Sequence, residues 1–214
     1  MNQPEVKDMH GPFESSTYVI KSRDASTLKE FAKVIQKYDI MADGNPEPVL
    51  YAEHPLEYAG TRADLYSGSD KAGRIFSIQK QPLSNYVYDY INMSQTVEYH
   101  FKRQVGRRGW IVSDNKDNTV IEVEEMYYDP SWGIAKKIIN VVCLYCFAHK
   151  KFYNLTMNKK KAGEIVFYTG IKELELKIRI KDGPDSRIDP RIVLALALSI
   201  ISFECCTGAT GGAN

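Results

Sequence analysis

A mainly β fold with one apolar C-terminal helix follows from three features of the sequence. Apolar and polar residues alternate with a period of two through most of the chain, most cleanly where Leu174, Leu176, Ile178 and Ile180 interleave with Glu173, Glu175, Lys177 and Arg179. Successive side chains of a strand point to opposite faces, so this rhythm describes a half-buried strand. Short turn-rich stretches separate such runs, a spacing that favours an antiparallel barrel or sandwich. Finally, nearly every residue from Ile192 to Phe203 is Ile, Val, Leu, Ala or Phe. A helix that is apolar all round belongs in a core or in a membrane.

Taken in chain order, the first strand is expected at 18–21. Residues 25–38 change period: Leu28, Phe31, Ala32 and Ile35 fall at helical spacing after a Ser26 cap, before a Gly/Pro-rich stretch at 43–48. That predicts a short surface helix. Strands resume at 49–53, 74–80, 97–103, 110–113 and 119–124. The Asn- and Asp-rich stretch 114–118 tolerates left-handed backbone and predicts a hairpin. Next comes the apolar run 138–148, flanked by Lys136, Lys137, Lys150 and Lys151. It is too short to span a bilayer, and its layout suits contact with a membrane while the lysines meet headgroups. Two further strands, 152–158 and 164–169, are joined by a second predicted hairpin turn, Asn158-Lys159-Lys160-Lys161-Ala162-Gly163. The strand at 174–180 completes the β region.

The last helix is expected over 190–203. Asp189 is a preferred N-cap, and Pro190 suits the first helical position, where no N–H is needed. At about 1.5 Å per residue this helix is roughly 21 Å long, against a hydrocarbon core of about 30 Å. Ser199 and Ser202 interrupt its apolar surface, although their hydroxyls can bond back to the helix backbone. A central core helix is therefore expected over a membrane anchor.

At 214 residues the chain is long enough for a sizeable core. Its 28 basic and 27 acidic residues leave a net charge of +1, which gives no whole-molecule attraction for a polyanion, so nucleic acid is not an expected partner. The polar Met1–Gly11 stretch lacks a basic-then-apolar leader, and Asn2 stands where myristoylation needs glycine. An intracellular setting, cytoplasmic or peripheral to a membrane, is expected, with the four cysteines as free thiols. The glycosylation patterns at Asn92 and Asn154 then carry no meaning.

The chain also resembles a known family. Ile188-Asp189-Pro190-Arg191, the apolar run and then Ser202-Phe203-Glu204 are similar to the ending of the phospholipid scramblase family and its Tubby-like relatives. Val49-Leu50-Tyr51-Ala52-Glu53 resembles that family's strand ending in Ala-Glu. Arg74 to Leu83 resembles its strand leading into Arg-Pro-Leu, and Cys143-Leu144-Tyr145-Cys146 its cysteine-containing stretch before a strand. The resemblance covers about 13–204, in the expected order. It implies a closed antiparallel β-barrel of about twelve strands around the central apolar helix. The implied organisation is a flexible N-terminus at 1–12, one scramblase-like domain at 13–206 and a disordered tail at 207–214. A proline-rich arm and a dense cysteine run, both tied to scramblase activity, are absent.

Functional candidates are few. The resemblance implies a calcium-linked acidic segment before the last helix, and its nearest match is Asp182, Asp185 and Asp189. Asp189 reads more simply as a cap and Asp182-Gly183-Pro184 as a turn, so no cofactor is expected. Cys143 and Cys146, with His149, have metal-like spacing but lack a full zinc ligand set, and packing in their apolar run explains them. Cys205 and Cys206, directly after the helix, are candidates for acylation. No G-x-S-x-G, H-E-x-x-H or P-loop occurs, and His10, His54, His100 and His149 are scattered. The glycines of the tail cannot act as a dinucleotide loop without a following helix. Lys102, Arg103, Arg107, Arg108, Lys159, Lys160 and Lys161 are the expected lipid-binding groups, and the expected partner is an anionic phospholipid surface or a protein. The expected function is a non-enzymatic scramblase-like module with a peripheral lipid-associated or protein-interaction role. A membrane-anchored scramblase, and an enzyme or small-molecule carrier using a barrel-mouth pocket, are the alternatives.

Overall fold

The computed structural model describes residues 11–23, 36–54, 61–68, 73–84, 86–106, 108–126, 133–134, 149–169, 174–181 and 188–208. Twelve strands run in chain order: β1 (Thr17–Ser22), β2 (Lys37–Ala42), β3 (Leu50–Glu53), β4 (Arg62–Ser67), β5 (Gly73–Lys80) and β6 (Val87–Asn92), then β7 (Val97–Arg103), β8 (Gly109–Asp114), β9 (Thr119–Met126), β10 (His149–Met157), β11 (Lys160–Thr169) and β12 (Leu174–Ile180). Helix α1 (Pro190–Gly208) follows. Each strand pairs antiparallel with its neighbour in sequence, and β1 pairs with β12 in a register that sets Thr17 opposite Arg179. The sheet closes on itself, which leaves no strand edge unpaired.

Period-two alternation decides what enters the barrel. Tyr18 and Ile20, Tyr38 and Ile40, Phe76 and Ile78, Tyr88 and Tyr90, Trp110 and Val112, Ile121 and Val123, and Leu174 to Ile180 at every second position are all buried. The space they enclose is filled by α1, whose residues from Val193 to Ile201 are 0% exposed. An apolar helix surrounded on every side replaces the ligand cavity that a barrel of this size would otherwise hold, and each fully buried aliphatic side chain contributes about 1.5–3 kcal/mol. Ser199 and Ser202 enter this apolar space by donating to the carbonyls of Ala195 and Leu198, each at 2.9 Å.

Three strands went beyond the expected set. Lys37 and Tyr38 are not the end of a helix: they open β2, where Ile40 stands opposite Ile20 and Tyr38 opposite Ala52. The part of the expected helix at 25–35 lies outside the described residues. The other additions are β4 and β6. The predicted turn at 158–163 is tighter than expected. Asn158 and Lys159 alone carry positive φ, 51° and 60°, and Met157 pairs directly with Lys160, as in a two-residue primed hairpin. Gly163 is needed just beyond it: a Cβ there would lie 2.6 Å from the Arg179 carbonyl oxygen of the neighbouring strand. Helix α1 also runs past Phe203 to Gly208.

Candidate functional site

The barrel has two ends. Strands β2, β4, β6, β8, β10 and β12 end where α1 enters. Strands β1, β3, β5, β7, β9 and β11 end where it leaves, and the helix runs from one end to the other.

At the entry end, the Asp189 carboxylate accepts the Arg191 backbone N–H at 2.9 Å, and the Ile192 N–H donates to the Asp189 carbonyl at 3.0 Å. This is the N-cap, with Pro190 in the first helical position. The Arg191 guanidinium bonds both Asp189 oxygens, at 2.6 to 3.1 Å. Asp189, the one described member of the calcium candidates, is thus engaged by its own helix; Asp182 and Asp185 lie outside the described residues. Among the described residues no group of three or more His, Cys, Asp or Glu is placed to hold a metal ion. Cys143 and Cys146 lie outside them as well. Tyr90, beside this end, is pushed up to about 12, chiefly by burial and then by the Glu98 carboxylate.

At the exit end the interior positions turn polar. Arg103 follows Phe101 by two on β7, Glu125 follows Val123 by two on β9, and Lys151 precedes Tyr153 by two on β10, so the pleat that buries those apolar residues also turns these charges inwards. Glu204 of α1 completes the group. The Lys151 ammonium lies 2.6 Å from Glu204 and 3.6 Å from Glu125, and the Arg103 guanidinium is ion-paired with Glu125. Neither oxygen of the fully buried Glu125 carboxylate makes a well-angled hydrogen bond, so the two cations neutralise it by proximity. The Tyr153 hydroxyl donates to Glu204 at 3.2 Å. Burial, followed by the Glu204 and Glu125 carboxylates, holds that phenol well above its ordinary value. Arg103 also lies over the rings of Trp110 and Phe203, at 5.9 and 5.5 Å.

A second anchor lies nearby. His54 Nδ1 is 2.6 Å from the Arg62 carbonyl, which fixes the proton on that nitrogen and leaves Nε2 facing the Ser202 hydroxyl at 3.4 Å. Serine and histidine are the residue types of a nucleophile and its base, but here the hydroxyl proton goes to the Leu198 carbonyl and both side chains are buried. The pair fastens the helix to β3. Desolvation holds His54 below the ordinary imidazole value, partly opposed by its bond to Arg62 and by Asp64.

The expected lipid-binding groups divide between the two ends. Lys102 and Arg108 are exposed at the exit end, and Arg103 is turned inwards beside them; Arg107 lies outside the described residues. Lys159, Lys160 and Lys161 are exposed at the opposite, entry end, with Lys161 3.0 Å from Glu164. The structure therefore does not join the two basic groups into a single patch. The acylation candidates Cys205 and Cys206 follow Glu204 on the helix at the exit end, and β9 and β10, which bracket the lysine-flanked apolar run, also open there. A cavity of about 640 Å³ lies beside the exit end, lined by Gln104, Arg108, Trp110, Glu122, Glu124 and Glu125 among others. Inward parity marks Arg103 and Lys151 in the sequence, whereas nothing local marks His54 or Glu204 as their neighbours. Among the described residues no helix is long and apolar enough to cross a membrane. Comparison of the chain with protein-family models, with curated proteins and with solved structures yields no match.

Proposed function

We propose that the chain is a non-enzymatic module of scramblase-like, Tubby-like type that associates peripherally with anionic phospholipid surfaces. The observation that carries this reading is the filled barrel. With Val193 to Ile201 occupying the axis, recognition is left to the loops and outer face, as in a binding module, and a carrier's interior pocket has no room. The ordered sequence motifs and the barrel-enclosed terminal helix support the family resemblance, which for function is an argument by analogy. The near-neutral whole chain requires the attraction to be local, and each basic residue close to an anionic surface contributes about 1 kcal/mol. Sedimentation with vesicles of neutral lipid, with and without an anionic phospholipid, tests it. Binding to the anionic vesicles alone, weakened by added salt, is expected. Equal binding to both kinds, or none to either at low salt, contradicts the lipid reading and favours a protein partner.

A further inference from the structure

We infer that the helix-exit end is the membrane-docking face, with the tips of the β5–β6 and β7–β8 hairpins entering the lipid interface through Leu83 and Val105 while Lys102 and Arg108 meet anionic headgroups. This rests on the lipid-associated reading above and adds the face and the mode of contact. Leu83 is fully exposed and Val105 is 76% exposed. A single exposed aliphatic residue is ordinary on a protein surface. Two of them on neighbouring tips of one barrel end, with the ring of Tyr86 also exposed beside them, form an apolar edge.

The two tips are held together and braced from within. The Arg103 N–H donates to the Tyr86 carbonyl at 2.7 Å, joining one hairpin to the other. The Tyr86 ring packs against Phe203 at 6.3 Å and Phe203 against Trp110 at 5.6 Å, so the helix supports both hairpins from behind. Gly106, at φ +81°, makes the β7–β8 turn that lifts Val105.

Charge separates these two hairpins from the turns of the other end. Residues 80–88 and 102–110 contain Lys80, Lys102, Arg107 and Arg108, besides Arg103 paired inwards with Glu125, and no acidic residue, while Glu122 and Glu124 of β9 stand beside Arg108. The entry-end turns alternate in sign: Asp43 and Glu47 in the β2–β3 turn and Asp114 and Asp117 in the β8–β9 turn stand against Lys159 to Lys161. Among the described residues the large exposed apolar side chain of the entry end is Met93. Apolar tips on hairpins whose own charges are all basic match a surface whose headgroups are negative and whose interior is apolar.

The test compares three full-length proteins, wild type, Leu83→Asp/Val105→Asp and Lys159→Ser/Lys160→Ser/Lys161→Ser, in sedimentation with vesicles of phosphatidylcholine with or without phosphatidylserine at low salt. Both altered regions are exposed, so unchanged thermal unfolding certifies the variants. The inference expects the tip variant to lose roughly tenfold or more in partitioning onto phosphatidylserine vesicles, and the lysine variant to change by less than about twofold. Leu83→Trp adds a depth reading: bound protein should show blue-shifted emission and quenching by lipids brominated along the acyl chain. Retained binding by the tip variant, loss confined to the lysine variant, or a tryptophan at position 83 that stays unquenched on bound protein would overturn the docking face while leaving lipid association intact. Absence of wild-type binding to either vesicle would overturn the lipid reading and the docking face with it.

Discussion

The two ends of α1 are fastened in different ways. At its start the partners are two or three residues apart: Asp189 caps Arg191 and accepts from Ile192. At its finish they are far apart in sequence, with Glu204 held by Lys151 and Tyr153 and Ser202 facing His54 across the barrel wall. Local capping can start a helix in any context, and here it does so at a rim where Asp189 and Arg191 remain in contact with water. Tertiary anchors decide where the helix sits, and of these His54, Ser202 and Glu125 are buried while Lys151 and Glu204 are largely shielded. The difference teaches that the N-terminal end sets where the helix begins, whereas the C-terminal end sets its depth in the barrel.

The largest expected effect removes both ends at once. Leu196→Asp would place an uncompensated carboxylate at the middle of α1, where exposure is 0%. The cost of several kcal/mol is comparable with a whole domain's stability of about 5–15 kcal/mol. Loss of cooperative thermal unfolding and of near-ultraviolet dichroism is the expected outcome.

A pair of substitutions then ranks the two ends. Arg103→Ala leaves Glu125 buried with Lys151 at 3.6 Å as its remaining cation, and should cost about 3–5 kcal/mol in denaturant unfolding. Asp189→Ala removes a cap and an exposed ion pair and should cost about 1 kcal/mol. Equal costs would erase the distinction between a tertiary and a local anchor.

Acid sharpens the comparison more gently. His54 is held neutral, so the unfolded chain binds its proton more tightly than the folded one. Stability from this site is fully present above the ordinary imidazole value of about 6.5 and is lost as pH falls below it towards the depressed folded value. Unfolding midpoints should therefore decline on acidification through that window, and His54→Gln should flatten that part of the decline. An identical slope in the variant would place the sensitivity elsewhere.

How much of this was legible in the sequence follows the same division. The strand at β12 is visible because its alternation is unbroken over Leu174 to Ile180, and the helix start is visible because Asp189-Pro190 is a local signal. β2 was hidden by apolar residues at helical spacing just before it, and β4 by Arg62 and Asp64, which meet each other and Ser77 on the outward side. β6 shows Tyr88 and Tyr90 about Asp89, but over too short a run to be told from a loop. Arg103 looked like a surface base; its inward turn follows from its parity with Phe101, a signal that was available. The meeting of Ser202 with His54 was not available, since it depends on barrel closure bringing β3 against the end of α1.

The central claim is that α1 is the interior of the barrel and opens only with it. Native-state hydrogen exchange resolves this residue by residue. The amides of Val193 to Ile201 should exchange with the same free energy and denaturant dependence as those of β11 and β12, because both require global unfolding. Exchange of the helix amides at a markedly lower free energy than the strands would mean that the helix leaves a barrel that persists without it, and would contradict the account.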